Sequence, residues 1–315
     1  MSKEDNSMIQ DDNYDHQEYQ YLNLVKKVIN EGEKEIDRTG TGTIRIFGAS
    51  CRYDLRDGKL PVLTTKKMFF RGVVEELLWF MSGSTDGKLL EAKGVNIWKG
   101  NGSRQYLDSI GLNHREEGDL GPIYGFSWRH YGATYKTCKD DYTGQGFDQL
   151  VDLIEQIKKN PTSRRLILCN WNPTELKNVA LPCCHVNAQF TVSKDKELSC
   201  IMYQRSCDMG LGCPFNIVSY SLLTHMIARI CGLKAKEFIH MIGDCHVYLD
   251  HIEPLKTQIE RKPYPFPTVE IDPTLKTLDD FVNLFKKTKT EKDLEPYIRL
   301  NNYQSHAVIK MKMSV

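Results

Sequence analysis

Two adjacent cysteines and a histidine, Cys183, Cys184 and His185, stand in the segment ALPCCHVNAQF (residues 180–190). Such a group could supply a nucleophile, metal ligands or small buried side chains. A free thiol is only roughly a few per cent ionised at neutral pH, so a nucleophilic cysteine needs a nearby positive charge or an adjacent base. Neighbouring residues of a strand point to opposite faces, which makes His185 a poor direct base and Arg205 the better candidate for stabilising a thiolate.

The spacing around the pair does not decide which cysteine reacts. Cys183 falls on the polar side of the predicted strand, whereas Cys184 falls in register with its apolar face, formed by Val186, Ala188, Phe190 and Val192. This alternation slightly favours Cys183, but Pro182 interrupts strand geometry and leaves the choice open. No C-x-x-C spacing occurs, so a zinc site has little support.

Four arginines lie where a side chain could bind an oxyanion. Arg38 precedes the loop TGTGT, Arg164 and Arg165 begin a predicted strand, and Arg205 with Ser206 ends another. A guanidinium group can bind phosphate oxygens in a bidentate manner. For any single arginine an exposed ion pair is the more common role, so both interpretations stay open at this point.

The segment RGVVEELLWFM (residues 71–81) predicts a helix with an apolar face. Glu75 and Glu76 flank that face on opposite sides, and the periodicity alone favours two solvated glutamates. A carboxyl group buried against apolar side chains would instead have a raised pKa and could exchange protons near neutral pH.

Three further polar residues lie among apolar ones. The amide of Asn216 offers a donor and an acceptor, the pair needed to read the edge of a uracil ring, although buried asparagines more often bind backbone groups. His246 and Tyr248 are two positions apart and share a face if the chain is extended, where a structural role is the default.

The chain has 315 residues, 40% of them apolar and 26% charged, with a formal net charge of +1. This balance is typical of globular proteins and gives no electrostatic reason to expect nucleic acid or an acidic membrane as a partner. No apolar run approaches the ~20 residues that span a bilayer. The ten cysteines and the lack of a signal peptide favour reduced thiols and a cytoplasmic location, with the nucleus as the alternative.

The organisation along the chain predicts one α/β domain. Residues 1–18 are rich in acids and predict a disordered tail, whereas residues 19–315 show no linker or repeat. Helices are predicted at 19–30, 71–81, 146–161 and 218–232, and strands, several of them antiparallel, at 43–55, 164–171, 184–192 and 198–206. Residues 98–145 predict mostly loops, and the alternating VIKMKMSV (308–315) predicts a terminal strand.

Several motifs together resemble the thymidylate synthase family. They are DRTGTGT (37–43), EELLWFMSGST (75–85), GPIYGFSWRHYGA (121–133), RRLILCNWNP (164–173), ALPCCH (180–185), QRSCDMGLGCPFN (204–216), FIHMIGDCHVYLDHIEPLK (238–256) and IKMKMSV (309–315). The resemblance runs in order from about Tyr19 to Val315 and is very specific, because so long a set of motifs does not arise by chance. It implies a catalytic domain over residues 19–315 with a large mixed β-sheet flanked by helices, the sheets being stacked across a twofold dimer.

The resemblance implies a reaction as well as a fold. The reaction is the reductive methylation of dUMP to dTMP by 5,10-methylenetetrahydrofolate, which leaves as dihydrofolate, with no metal. The family's nucleophile matches the cysteine directly before histidine, so the resemblance assigns Cys184, whose thiolate adds to carbon 6 of the uracil. The family usually has a proline where this chain has Cys183, a departure that relaxes the backbone beside the nucleophile.

The resemblance also implies roles for individual residues. The catalytic group comprises Cys184, Glu76, Asn216, Arg205, Tyr124 and His185. The dUMP site comprises Arg38, Arg205, Ser206, Cys207, Asp208, Asn216, His246 and Tyr248, joined by Arg164 and Arg165 from the second subunit of a homodimer. The folate site comprises Asp208, Ile97, Trp98, Leu211, Gly212, Phe215, Ser314 and Val315.

Other classes fit the residues less well. The nearest alternative is a deoxycytidylate hydroxymethylase, which shares this fold and cysteine chemistry but needs an acid where this chain has Asn216. A zinc nucleotide deaminase needs H-x-E followed by P-C-x-x-C, and the chain has HIE (251–253) without the second motif. A non-catalytic nucleotide-binding protein would not need the complete set of chemical residues.

Overall fold

The computed structural model describes residues 16–37 and 39–314. Its main sheet is built from β1 (Glu33–Glu35), β2 (Thr43–Asp54), β3 (Ile167–Cys169), β4 (His185–Val192), β5 (Glu197–Asp208) and β6 (Lys234–Tyr248). The order across this sheet is β1-β2-β6-β5-β4-β3, with β5 and β6 parallel and the other pairs antiparallel. A second, antiparallel pair is formed by β7 (Thr268–Ile271) and β8 (Ile298–Asn301).

Helices cover this sheet and the loops beside it. They are α1 (Glu18–Glu31), α2 (Phe70–Met81), α3 (Gly87–Glu91), α4 (Arg104–Ser109), α5 (Tyr124–His130), α6 (Gln149–Lys159), α7 (Gly212–Ile230), α8 (Ile252–Ile259), α9 (Leu278–Lys287) and α10 (Glu291–Leu294). Short 3₁₀ turns occupy Arg56–Gly58, Pro173–Glu175 and Leu249–His251. In the part of the chain that the structure describes, no helix is both long and apolar enough to cross a membrane.

Helices α7 and α2 form the centre of the core. Helix α7 packs on β5, β6 and α2. Most of its residues are buried, as expected for a helix that is apolar on nearly all sides. Helix α2 is buried continuously from Gly72 to Met81. The apolar sequence of α2 therefore carries two carboxyl groups into the interior of the protein.

The face of the sheet opposite α7 keeps several apolar side chains at the surface. Strand register places Ile167, Gln189, Ile201 and Ile239 in one row, and Tyr203 beside Met241 in the next. Ile167 is 46% exposed, Tyr203 38% and Met241 39%. A row of exposed β-branched and aromatic side chains on a central sheet is the kind of surface that another protein chain covers.

The mixed α/β fold predicted from the sequence is confirmed. The prediction that residues 98–145 are mostly loops is confirmed, although the stretch also contains α4 and α5, which are too short to show a clear helical period. The prediction of a terminal strand is wrong. Residues 308–314 form no strand, because alternation indicates which side chains share a face but supplies no neighbouring strand to pair with.

The boundary of the predicted tail also differs from the structure. Residues 1–15 lie outside the described part, but Glu18 begins α1 and is fully buried. Its carboxylate accepts hydrogen bonds from the backbone N–H and hydroxyl groups of Thr64 and Thr65, at 2.6–3.1 Å. Glu18 is therefore part of the folded domain and not of the predicted tail, since this acid ties α1 to the loop that precedes α2.

Candidate active site

Cys184 lies directly before β4, on a turn that a single arginine holds. The backbone N–H of Arg205 donates to the carbonyl oxygen of Cys184 at 2.9 Å. Its Nε donates to the carbonyl of Cys183 at 3.0 Å, and its Nη2 donates to that of Pro182 at 2.7 Å. The same Nη2 lies 3.8 Å from Sγ of Cys184. The guanidinium group thus fixes the turn and places positive charge beside the thiol.

The two neighbouring cysteines have different environments. The Sγ of Cys183 is buried and accepts a hydrogen bond from the backbone N–H of Tyr124 at 3.4 Å, and burial raises its pKa to about 12. Cys184 is half-buried, and its backbone N–H donates to the hydroxyl of Tyr124 at 2.7 Å. The sulfur beside the guanidinium group is therefore that of Cys184.

The placement of Cys183 on the polar side, predicted from strand alternation, is wrong for a local reason. The pairing of β4 with β5 shifts between His185 and Asn187, which marks a β-bulge. An extra residue in one strand reverses the inside–outside pattern beyond it. Alternation counted back from Phe190 consequently assigns the wrong faces to the residues before the bulge.

Both glutamates of α2 are buried, so the prediction that they are solvated is wrong. Glu75 pairs with Nζ of Lys93 at 2.8 Å. Glu76 accepts a hydrogen bond from Nε1 of Trp98 at 2.8 Å. Burial raises the pKa of Glu76 to about 7. The hydrogen bond from Trp98 acts in the opposite direction on this pKa, but its effect is smaller than that of burial. Glu76 is thus the carboxyl group that can gain or lose a proton near neutral pH.

Aromatic rings connect Glu76 to the cysteine turn. The ring of Trp98 lies 6.0 Å from that of Tyr124, which in turn lies 5.0 Å from the imidazole of His185. Burial raises the pKa of Tyr124 well above its usual value and lowers the pKa of His185 to about 4. Both groups are therefore neutral at physiological pH, and Tyr124 binds the backbone of Cys184 as a phenol.

Asn216 reaches the same cluster from the first turn of α7. Its Oδ1 accepts a hydrogen bond from Nε2 of Gln204 at 2.9 Å, and its amide also interacts with the imidazole of His185. Gln204 Oε1 lies 2.8 Å from Nε2 of His240. The sequence did not single out Gln204 or His240, because each looks like an ordinary polar residue on a strand.

Residues at the ends of β5 and β6 form a second polar group. His246 and Asp244 share a hydrogen bond of 2.8 Å, and the ring of Tyr248 lies 5.4 Å from the imidazole of His246. Ser206 pairs with Asp244 in the sheet and is half-buried. Cys207 is fully buried against other thiols.

Several of the predicted folate residues lie at the end of β5, on the loop that follows it, or at the start of α7. Asp208 accepts hydrogen bonds from the N–H groups of Gly210 at 2.8 Å and Leu211 at 3.3 Å. Burial alone would raise the pKa of Asp208, but hydrogen bonding and charge from His251 hold it below its usual value. Three other predicted members, Ile97, Gly212 and Phe215, are half-buried.

The end of the described chain packs near this loop. His251, the partner of Asp208, also binds the carbonyl oxygen of Lys312 at 2.7 Å. The hydroxyl of Ser314 lies 3.2 Å from that of Thr41, in the glycine-rich loop. Val315 lies outside the described residues.

Two predicted arginines are not brought to Cys184 within one chain. Arg164 and Arg165 are exposed just before edge strand β3 and form no ion pair with other described residues. Arg38 lies outside the described residues. The described residues contain no group of three or more metal-binding side chains that could hold a metal ion.

Comparison with known proteins gives a consistent result. Residues 19–315 match the family described as thymidylate synthase. The chain belongs to the thymidylate synthase family. Thymidylate synthase of Saccharomyces cerevisiae is 53% identical over 313 residues, covering 96% of this chain and 99% of the relative. Thymidylate synthase of Ascaris suum is 55% identical over 303 residues, with coverage of 96% and 99%.

Other members of the thymidylate synthase family that match are longer. A putative bifunctional dihydrofolate reductase-thymidylate synthase of Oryza sativa subsp. japonica is 57% identical over 300 residues, covering 95% of this chain and 58% of the relative. The chain thus spans little more than half the length of such relatives. Members of the family use dUMP and a folate co-substrate, and these names do not favour the hydroxymethylase alternative.

Replacing Glu76 by glutamine should change how stability depends on pH. The folded-state pKa is about 7 and the ordinary value is 4.5, so the folded protein keeps a proton that the unfolded chain releases between these values. This contribution to stability is fully present below pH 4.5 and is lost as the pH rises through 7. Between about pH 5 and about pH 8, the free energy of unfolding of wild type should fall by about 2 to 3 kcal/mol relative to Glu76→Gln.

Urea titrations of both proteins at several pH values measure this difference. The exposed Glu33→Gln, whose site lies on β1, is the control and should follow wild type throughout. A difference between wild type and Glu76→Gln that stays constant with pH would contradict the assignment of a raised pKa to Glu76.

Proposed function

We propose that this chain is a thymidylate synthase, which converts dUMP to dTMP with 5,10-methylenetetrahydrofolate and releases dihydrofolate. The observation that carries the proposal is the placement of Cys184 Sγ 3.8 Å from the guanidinium group of Arg205, in one cluster with Asn216 and Tyr124. Membership of the thymidylate synthase family supports the same reaction. No metal takes part in it.

Cys184 supplies the nucleophile in this proposal. Carbon 5 of uracil is too poor a nucleophile to attack the folate's methylene group by itself. Addition of the Cys184 thiolate to carbon 6 moves the ring electron pair toward carbon 5 and the 4-carbonyl oxygen. The amide N–H of Asn216 donates to that oxygen as negative charge develops on it. Carbon 5 then attacks the methylene group of the folate and loses its proton, and the bond between the methylene carbon and the folate nitrogen breaks. The tetrahydrofolate, still bound, gives a hydride to the methylene carbon, which completes the methyl group as the Cys184–carbon 6 bond breaks, and the folate is released as dihydrofolate.

Glu76 is the proton-transfer group in this mechanism. A pKa of about 7 means that both its protonated and ionised forms are populated at neutral pH, so it can donate a proton to one intermediate and accept one from the next. Tyr124 and His185 remain neutral and carry the polar network between Glu76 and Cys184. Trp98 orients the Glu76 carboxylate through its indole N–H.

The nucleotide and the folate lie on either side of this cluster in the proposal. Arg38, Arg205 and Ser206 hold the phosphate, Asn216 reads the base, and His246 with Tyr248 holds the ribose 3′-hydroxyl. Asp208 contacts both ligands, and the backbone of Cys207 faces the nucleotide. The folate packs against Ile97, Trp98, Leu211, Gly212 and Phe215, and is closed over by Ser314 and Val315.

Arg164 and Arg165 are assigned to the phosphate of the partner subunit. They are exposed at the edge of the sheet, on the strand that also carries the exposed Ile167. Stacking the open sheet faces of two copies about a twofold axis covers the apolar rows and presents each arginine pair to the other chain. We therefore propose a homodimer with two shared active sites.

We also propose a cytoplasmic location, with the nucleus as the alternative. All ten cysteines lie in the described part of the chain and none forms a disulfide, although some pairs are close enough to interact. Thiols in such numbers are expected in a reducing compartment. Neither nucleic acid nor a membrane is needed for the proposed reaction.

Steady-state turnover tests the proposed reaction directly. Wild type should convert dUMP in the presence of 5,10-methylenetetrahydrofolate, with dihydrofolate formation followed by absorbance, and should turn over dCMP only very slowly by comparison. Cys184→Ser should lower kcat by about a thousandfold or more because the nucleophile is lost. The matched control Cys183→Ser should retain most of the activity. Hydroxymethylation of dCMP without turnover of dUMP would overturn the proposal.

Mixing two inactive variants tests the shared site. Cys184→Ser and Arg165→Ala should each be inactive or nearly so as homodimers. In a mixed dimer, one site combines an intact cysteine with an intact arginine from the other chain. Refolding the two variants together in equal amounts should restore about a quarter of wild-type activity, because half of the dimers are mixed and each has one intact site.

Equal mixing of Cys184→Ser with Glu76→Gln provides the control, since both residues belong to the same subunit's cluster and no intact site can form. A mixture of Cys184→Ser and Arg165→Ala that stays inactive while mixed dimers are detected would show that Arg165 does not act across the interface.

A further inference from the structure

An asparagine side chain alone cannot distinguish uracil from cytosine. Uracil presents a carbonyl oxygen and a ring N–H, whereas cytosine presents an amino group and an unprotonated ring nitrogen. Rotating an amide by 180° exchanges its donor and its acceptor, so Asn216 in one orientation fits uracil and in the other fits cytosine. Discrimination between the two bases depends on whatever fixes the orientation of this amide.

A chain of hydrogen bonds fixes it in this structure. The amide nitrogen of Gln204 lies 2.9 Å from the carbonyl oxygen of Ser206 and 2.9 Å from Oδ1 of Asn216. A backbone carbonyl can only accept, so the Gln204 atom next to it must be the nitrogen. That nitrogen can only donate, so the Asn216 atom that faces it must be the oxygen. The Nδ2 of Asn216 is thereby left to donate to a ligand's carbonyl.

His240 holds the other end of Gln204. Its Nε2 lies 2.8 Å from the amide oxygen Oε1, which can only accept, so Nε2 must carry the proton. Its Nδ1 is buried and has no partner among the described residues, as expected for the unprotonated nitrogen of a neutral ring. His240 and Gln204 are 0% and 2% exposed, so no solvent competes for these bonds.

We propose that His240, acting through Gln204, is a positioning residue that locks the amide of Asn216 in the orientation that fits uracil and thereby sets the preference for dUMP over dCMP. This inference rests on the proposed function. His240 on β6 pairs with Met202 on β5, two positions before Gln204, so the side chains of His240 and Gln204 lie on the same face of the sheet. Neither side chain needs to touch the nucleotide.

The contribution of His240 differs from that of Ser206. The Ser206 carbonyl gives Gln204 its direction, but a glutamine held only at one end can rotate about its long side chain. Without the His240 N–H, the buried Oε1 of Gln204 lacks a hydrogen-bond donor. Because an unpaired buried oxygen costs free energy, conformers in which Gln204 turns away and releases Asn216 become more populated. Once Asn216 can turn over, cytosine becomes an acceptable ligand.

The test compares the ratio of kcat/KM for dUMP to that for dCMP across variants. His240→Phe removes the donor but keeps a ring, and His240→Gln restores an N–H near the position of Nε2. His225→Phe is the matched control, because His225 also binds a carbonyl oxygen, that of Lys59, but lies outside this network. Since His240 is fully buried, Gln204→Met is included as a second variant that removes the same link.

We expect the ratio to fall about tenfold or more in His240→Phe and in Gln204→Met, since an unpaired buried polar group costs a factor of this size. His240→Gln and His225→Phe should stay within about twofold of wild type. If His240→Phe and Gln204→Met lower kcat/KM for both nucleotides equally and leave the ratio unchanged, the two residues only pack the core and the proposal is wrong.

Binding measured by calorimetry separates this proposal from the proposed function. If wild type binds dUMP in preference to dCMP but turns over neither, the proposed reaction fails, and the ratio of the two dissociation constants still tests His240. A loss of binding preference in His240→Phe that His240→Gln restores would support the positioning role. An equal loss of binding preference in His240→Phe and His240→Gln would overturn the positioning role.

Discussion

The contacts of Arg205 with the turn before β4 are the constraint on which the rest of the site depends. One side chain binds the carbonyl oxygens of Pro182 and Cys183 and approaches the sulfur of Cys184, while its backbone binds the carbonyl of Cys184. Because Arg205 is part of the central strand β5, the turn takes its position from the sheet. The Cys184 thiol is thus held by a rigid element, although it lies on a turn.

Burial is the second physical principle of the site. It raises the pKa of Glu76 to about 7 and lowers those of His185 and His240 to about 4 and about 3. The polar groups around Cys184 are therefore mostly neutral and act through directed hydrogen bonds, while positive charge is concentrated in Arg205. In a weakly screened interior, such fixed dipoles act strongly on charge that develops on a bound ring.

The elements of the fold could be predicted from periodicity because helices α1, α2, α6 and α7 and strands β2, β4 and β5 are long enough to show it. The environment of an individual side chain could not be predicted from periodicity. Glu75 and Glu76 look equivalent in a helical pattern, and only Lys93 and Trp98, which follow in the chain, make one an ion pair and the other an isolated acid. Contacts of this kind depend on the packing of the whole chain.

The residues of the candidate site could likewise be predicted only in part. The motif resemblance pointed to Cys184, whereas strand alternation leaned toward Cys183 because a β-bulge is not visible in a hydrophobic pattern. Gln204 and His240 were not found from the sequence at all, since their importance comes from a side-chain contact between two parallel strands. The roles proposed for Arg164 and Arg165 involve a second copy of the chain, which one sequence cannot place.

The central claim is that Cys184, rather than its neighbour, forms a covalent bond to the pyrimidine. The most direct measurement traps that bond with 5-fluoro-dUMP and 5,10-methylenetetrahydrofolate, then digests the protein and locates the added mass. The account predicts a stable ternary adduct on Cys184, absent from Cys184→Ser and retained in Cys183→Ser. An adduct on Cys183, or no adduct with folded wild-type protein, would contradict it.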